Sequence, residues 1–142
     1  MNDVKNFLEM VRDKRKKVRR MEEALAENTV RAESATGISI KEKVQTSSKA
    51  AIDATLAALE EERQRLNDAQ EELETLTSRA KDLINTVKDD EVLWQILWHR
   101  YILVESGKEM SHKLHYSRTS LYMKLEQGVG LIQERLNTIE HD

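Results

Sequence analysis

An all-α fold is predicted by three features of this 142-residue chain: it has no proline and only four glycines, 35% of its residues are charged, and its apolar residues recur at helical rather than alternating spacing. The expected architecture is a long antiparallel coiled-coil helical hairpin over residues 1–88, followed by a C-terminal helix-turn-helix module over residues 89–142.

The first helix is expected at about residues 3–33, because Val4, Val11, Val18, Leu25 and Ala32 recur every seven residues with Phe7, Leu8 and Met21 beside them. A loop is expected near 34–39, where Gly37 stands among Ser34, Thr36 and Ser39. A second, longer helix follows. Ile52, Leu59, Leu66, Leu73, Ala80 and Val87 form an unbroken heptad series, with Ala69, Leu76 and Leu83 at the other seam position. At 1.5 Å per residue, about 45 residues of helix would reach roughly 70 Å. The shorter first helix cannot cover such a stripe. The remainder is expected to meet the C-terminal module or a second copy, with a homodimer or higher homo-oligomer favoured over a monomeric bundle.

Lys88-Asp89-Asp90-Glu91 reads as the boundary, with Asp89 or Asp90 capping the next helix. Beyond it Leu93, Leu97 and Tyr101, with Trp94 and Trp98, define a new apolar face. Both tryptophans are expected to anchor the core rather than to form a ligand cage or stack on bases. The following stretch has the spacing of two short helices meeting at a tight turn. Ser106 is placed to cap the first, and Glu109 three residues on completes a capping box. Met110 and Leu114 share a face, and Ser111 between them allows a crossing helix to approach. His115 and Tyr116 form the turn, Ser117 caps the second helix, and Leu121 and Leu125 are its buried residues. That helix continues through Gly128, Ile132, Leu136 and Ile139. Gly128 and Gly130 each cost about 1 kcal/mol relative to alanine, which marks a kink or a close-packing site.

Aligned without a gap, Arg100-Tyr101-Ile102, Ser106, Met110-Ser111, Leu114, Ser117-Arg118 and Leu121-Tyr122 resemble the promoter-reading C-terminal helix-turn-helix of bacterial sigma factors. The upstream half, a charged helix, then Ser34, Thr36, Gly37 and Ser39, then Lys43-Val44-Gln45-Thr46-Ser47-Ser48 leading into a Glu-rich helix, is similar to a phage and prophage family of sigma-like late-transcription regulators. The resemblance covers nearly the whole chain on short motifs. It implies a phage-type transcription regulator whose C-terminal module engages double-stranded DNA, RNA polymerase or both, with Ser117, Arg118, Thr119, Tyr122, Met123 and Lys124 at the DNA. Two departures qualify it. Family members often carry glycine at the turn where His115 stands, and Thr119, Tyr122 and Met123 replace long polar readers, leaving Arg118 for a bidentate guanine contact and Lys124 for a phosphate. Modest sequence specificity, or DNA contact within a larger complex, is therefore expected.

A net charge of −3 argues against a polycation that coats nucleic acid. The run Arg12-Asp13-Lys14-Arg15-Lys16-Lys17-Val18-Arg19-Arg20 has seven basic residues in nine. Its expected role is to pair with Glu60, Glu61, Glu62, Asp68, Glu71, Glu72 and Glu74 across the hairpin, a phosphate-binding collar being the alternative. Without cysteine there is no disulfide, thiolate metal site or cysteine nucleophile. His112 and His115 read as surface residues rather than a zinc site, which needs more ligands. No phosphate loop, His-Glu-x-x-His or nucleophile elbow is present, so neither an enzyme nor a cofactor is expected. With no apolar run of signal-peptide or membrane-span length, the expectation is a cytoplasmic protein without membrane contact. Two other functions fit the same outline: a small-terminase-like DNA-packaging protein, although its DNA-binding part usually comes first, and an adaptor coiled coil that does not bind DNA.

Overall fold

The structure, a computed structural model, describes residues 3–36 and 49–141. The described residues form five α-helices and no strand: α1 (Asp3–Thr36), α2 (Lys49–Asn85), α3 (Glu91–Leu97), α4 (Gly107–Leu114) and α5 (Arg118–His141). A π-helical turn, Trp98–Ile102, continues directly from α3. No helix of the described residues is long and apolar enough to cross a membrane.

α1 runs to Thr36, so Ser34, Ala35 and Thr36 extend the helix where a loop was expected to begin. No glycine or proline interrupts the helix before Gly37, and serine and threonine cost a helix only a few tenths of a kcal/mol, about 0.5 each. Gly37 and Ser39 of the expected loop, and the motif Lys43 to Ser48, lie outside the described residues.

The heptad stripes are the inward faces. Val4, Val11 and Val18 are buried and Leu25 and Ala32 half-buried; Leu66 and Ala80 are buried, as is Val87 just past the end of α2, with Ile52, Leu59 and Leu73 half-buried. The chain forms two compact units, one of Lys17–Glu72 and one of Met1–Lys16 with Leu73–Asp142. In the first, Gln70 donates to Glu22 at 3.0 Å and the Asn28 amide donates to both carboxylate oxygens of Glu62 at 3.1 Å. As one partner number rises the other falls, so these stretches of α1 and α2 run antiparallel.

The second unit holds the main core. Val4, Leu8 and Val11 from the start of α1 and Ala80 and Ile84 from the end of α2 join Ile96, Leu97, Tyr101, Met110, Leu121, Leu125 and Ile132. The apolar stripe of α2 from Leu76 onward is thus spent on the C-terminal helices. Residues 86–90 turn the chain from α2 into α3. Asp90 caps α3 by accepting from the Leu93 amide at 3.2 Å, as its side chain and position predict. The Arg135 guanidinium on α5 grips that turn through Asp89 and the Thr86 carbonyl, and its hydrogen bond holds the Asp89 carboxyl below its ordinary pKa. Trp94 and Trp98 stack at 5.1 Å between centroids and pack against the core, with the Trp94 indole donating to Asn85.

α5 passes both glycines unbroken. A Cβ on Gly128 would stand 3.0 Å from Leu97 Cδ1, whereas one on Gly130 would meet nothing within 4 Å. Gly130→Ala is therefore expected to stabilise the protein by about 0.5–1 kcal/mol through helix propensity alone. Gly128→Ala must displace a fully buried Leu97, and overpacking of about 1–3 kcal/mol outweighs the same gain. Thermal melts of the two variants should move in opposite directions; a stabilised Gly128→Ala would mean that Leu97 has room to yield.

Candidate nucleic-acid interface

The α4–α5 pair is built from local signals. Ser106 stands at the N-cap of α4, its hydroxyl accepting from the Glu109 amide at 3.1 Å while the Glu109 carboxylate accepts from the Ser106 amide at 3.4 Å. Two otherwise unpaired amides are satisfied by one reciprocal box. α4 ends after Leu114 because His115 turns left-handed, at φ 60° and ψ 39°, with its amide bonded to the Ser111 carbonyl at 3.1 Å. Ser111 also donates its hydroxyl to the Tyr116 carbonyl, tying the turn back to the helix that precedes it. Ser117 then caps α5, accepting from the Ser120 amide at 3.1 Å.

A left-handed residue with a Cβ costs roughly 1–2 kcal/mol, against about 0.5–1 kcal/mol of extra chain entropy that glycine loses on folding. His115→Gly is accordingly expected to stabilise the protein slightly, by about 0.5 kcal/mol, and His115→Val to destabilise it. Denaturant titration of both checks this; equal loss for both would show that the imidazole itself holds the turn.

On α5, Leu121 and Leu125 face the core at 2% and 6% exposure, so Ser117, Arg118, Thr119, Tyr122 and Met123 are left exposed and Lys124 half-buried. The six residues differ in their surroundings. Arg118 forms no ion pair among the described residues, and Thr119 and Met123 stand on the open side. Tyr122 lies to one side with Arg100 5.9 Å from its ring centre and its hydroxyl close to Gly107, while the Lys124 ammonium sits 5.4 Å over the Tyr116 ring. His112 and His115 are exposed, and no group of three or more possible ligands among the described residues is placed to hold a metal ion.

The link from the π-turn to α4 contains features that sequence reasoning missed. Val104 adopts φ 56°, a left-handed conformation that is unusual for a β-branched residue. Next to it the Glu105 carboxylate is buried and held from two sides, by His99 Nδ1 at 2.6 Å and by Lys113 Nζ of α4. Burial alone would raise the Glu105 carboxyl, but the hydrogen bonds from Lys113 and His99 outweigh it and bring its pKa below the ordinary value. Glu105 in turn raises the Lys113 ammonium. A carboxyl lowered on folding stabilises above its unfolded pKa and loses that contribution as the pH falls; an ammonium raised on folding stabilises below its unfolded pKa and loses it as the pH rises past its folded one. The melting temperature should therefore hold across neutral pH and fall below the ordinary carboxyl range. Glu105→Gln should remove part of that acid dependence; an unchanged pH profile would show that Glu105 does not contribute to it.

The third missed feature is the start of α1. The Glu9 carboxylate accepts from Arg100 Nη2 at 3.0 Å and from the Tyr101 hydroxyl at 3.1 Å, and Lys5 pairs with Glu126 of α5 at 2.6 Å. Burial and then the Glu9 carboxylate push the Tyr101 phenol far above its ordinary pKa; Arg100 is raised, because Glu9 outweighs the opposing effect of burial. These residues, with Tyr122, Leu125 and Val129, line a cleft of about 100 Å³. The residues involved lie 91 or more positions apart, and nothing in the local sequence marks the pairs. No protein-family model, curated protein or solved structure matches the chain.

Proposed function

We propose that the protein is a phage-type transcription regulator that binds double-stranded DNA through α4 and α5 acting as a helix-turn-helix, with RNA polymerase as a further partner and the paired α1 and α2 serving as a coiled-coil stalk. The observation that carries the reading is the α4–turn–α5 construction. A capped short helix, a left-handed turn residue and a second capped helix leave Arg118, Thr119 and Met123 exposed where a reading helix meets base edges. The resemblance of the stretch from Arg100 to Tyr122 to the promoter-reading module of sigma factors points the same way. The electrostatics are compatible: of the acidic residues between Val104 and Gln127, Glu105 is paired with His99 and Lys113 and Glu126 with Lys5, while the Glu109 carboxylate is turned back onto the Ser106 amide and hydroxyl. Arg118 is left available for the groove and its phosphates.

The test is binding of the full chain to fragments of its own genome at two salt concentrations, with and without RNA polymerase, because only the electrostatic component depends strongly on salt. Salt-sensitive retention of particular fragments is expected. Failure to bind any fragment at low salt in either condition would leave the adaptor coiled coil as the better account.

A further inference from the structure

We propose that Lys5 and Glu126 extend the DNA-reading surface past the first turns of α5, with Glu126 as a base-discriminating acceptor and Lys5 as the cation that allows a carboxylate into the groove. The proposal rests on the DNA-reading role of α5 and deepens it.

Thr119, Met123 and Glu126 are exposed at spacings of four and three residues, so they share one side of α5. Seven residues of helix advance about 10 Å, within the length of a reading helix that lies along a major groove. A lone carboxylate there would be repelled by the phosphates. The structure supplies its counter-charge: Lys5 Nζ stands 2.6 Å from Glu126 Oε1, with the two side chains 38% and 63% exposed. The pair is reachable from solvent, and a surface ion pair of this kind adds little to stability. Lys5 is also held in register. Its neighbour Val4 is buried and donates its amide to Gln133 at 3.3 Å, and Leu8 one turn on is fully buried.

The chemistry that follows is specific. With one oxygen engaged by Lys5, the carboxylate keeps a second oxygen to accept from an exocyclic amino group in the major groove, that of cytosine fitting best. The ammonium carries three donors, so two remain for a flanking phosphate. α1 would thus contribute directly to the interface from the opposite end of the chain.

Selection from a randomised duplex library, run with the unaltered protein, Glu126→Gln and Lys5→Ala, distinguishes the possibilities. Melting curves should show all three folded. Glu126→Gln is expected to change the preference at one position away from cytosine by about tenfold while leaving the others intact. Lys5→Ala is expected to weaken all duplexes and to reduce the slope of log affinity on log salt by about 0.9. If the unaltered protein selects a sequence and Glu126→Gln selects the same one equally strongly, the proposal is overturned while the DNA-reading role stands. If the unaltered protein selects nothing even at low salt, the DNA-reading role itself fails and this proposal with it.

Discussion

Removing residues 1–16 is expected to unfold the unit that carries α4 and α5, although the deleted segment lies about a hundred residues away from them in sequence. Leu8 and Val11 are fully buried and Val4 nearly so, all in the same core as Tyr101, Met110 and Leu121. Burial of such side chains stabilises by roughly 1.5–3 kcal/mol each, so their loss approaches the whole of a typical stability of about 5–15 kcal/mol. Arg100 and Tyr101 would in addition lose the Glu9 carboxylate that satisfies them, and leaving largely buried polar groups unpaired adds to the cost. Circular dichroism melts and proton NMR of residues 17–142 against the full chain test this. A cooperative melt within a few degrees of the parent, with dispersed side-chain signals, would show that the C-terminal helices fold alone. Leu8→Ala is the milder version, with an expected loss of about 2–5 kcal/mol.

Arg118→Ala should have the largest effect on binding at the smallest structural cost. The side chain is exposed at the first position of α5, and the Ser117 cap does not depend on it, so the melting temperature should stay within a degree or so. Under the DNA-reading proposal it supplies a guanidinium that is exposed and outside every ion pair among the described residues, and a bidentate guanine contact is worth about 1–3 kcal/mol, roughly 5- to 150-fold in affinity. Leu121→Ala makes the contrast: at 2% exposure it should cost about 2–5 kcal/mol of folding stability and lose binding only through unfolding. Titration of both variants against the best-bound duplex, alongside their melts, separates the two behaviours. An Arg118→Ala protein that binds as tightly as its parent would remove the reading role from α5.

Ser106, Ser117 and Asp90 cap the helices that their positions predict, because a cap is a bond between residues three apart and needs no tertiary partner. The heptad valines and leucines face inward for a similar reason: helical periodicity alone brings them to one side. His115 was also readable as a turn residue, and its left-handed backbone is what that position in the turn requires.

Tertiary structure alone decided which apolar stripe meets which. A heptad series specifies a buried face but not its partner, so nothing local distinguishes the part of α2 that lies along α1 from the part that enters the C-terminal core. The same limit hides Glu9 with Arg100, Lys5 with Glu126, and Glu105 with Lys113. Each is a pair of ordinary charged residues in sequence, recognisable only once folding has brought the two side chains together. The π-turn and the left-handed Val104 belong here too. Both are local conformations without a local sequence cause, since the intrinsic preference of valine opposes φ 56° and the surrounding packing must supply the energy that holds it there. Sequence determined the helices, their caps and their inward faces, because those are set within a few residues. The choice of partner for each face, and with it the surroundings of the candidate reading helix, required contacts across the full length of the chain.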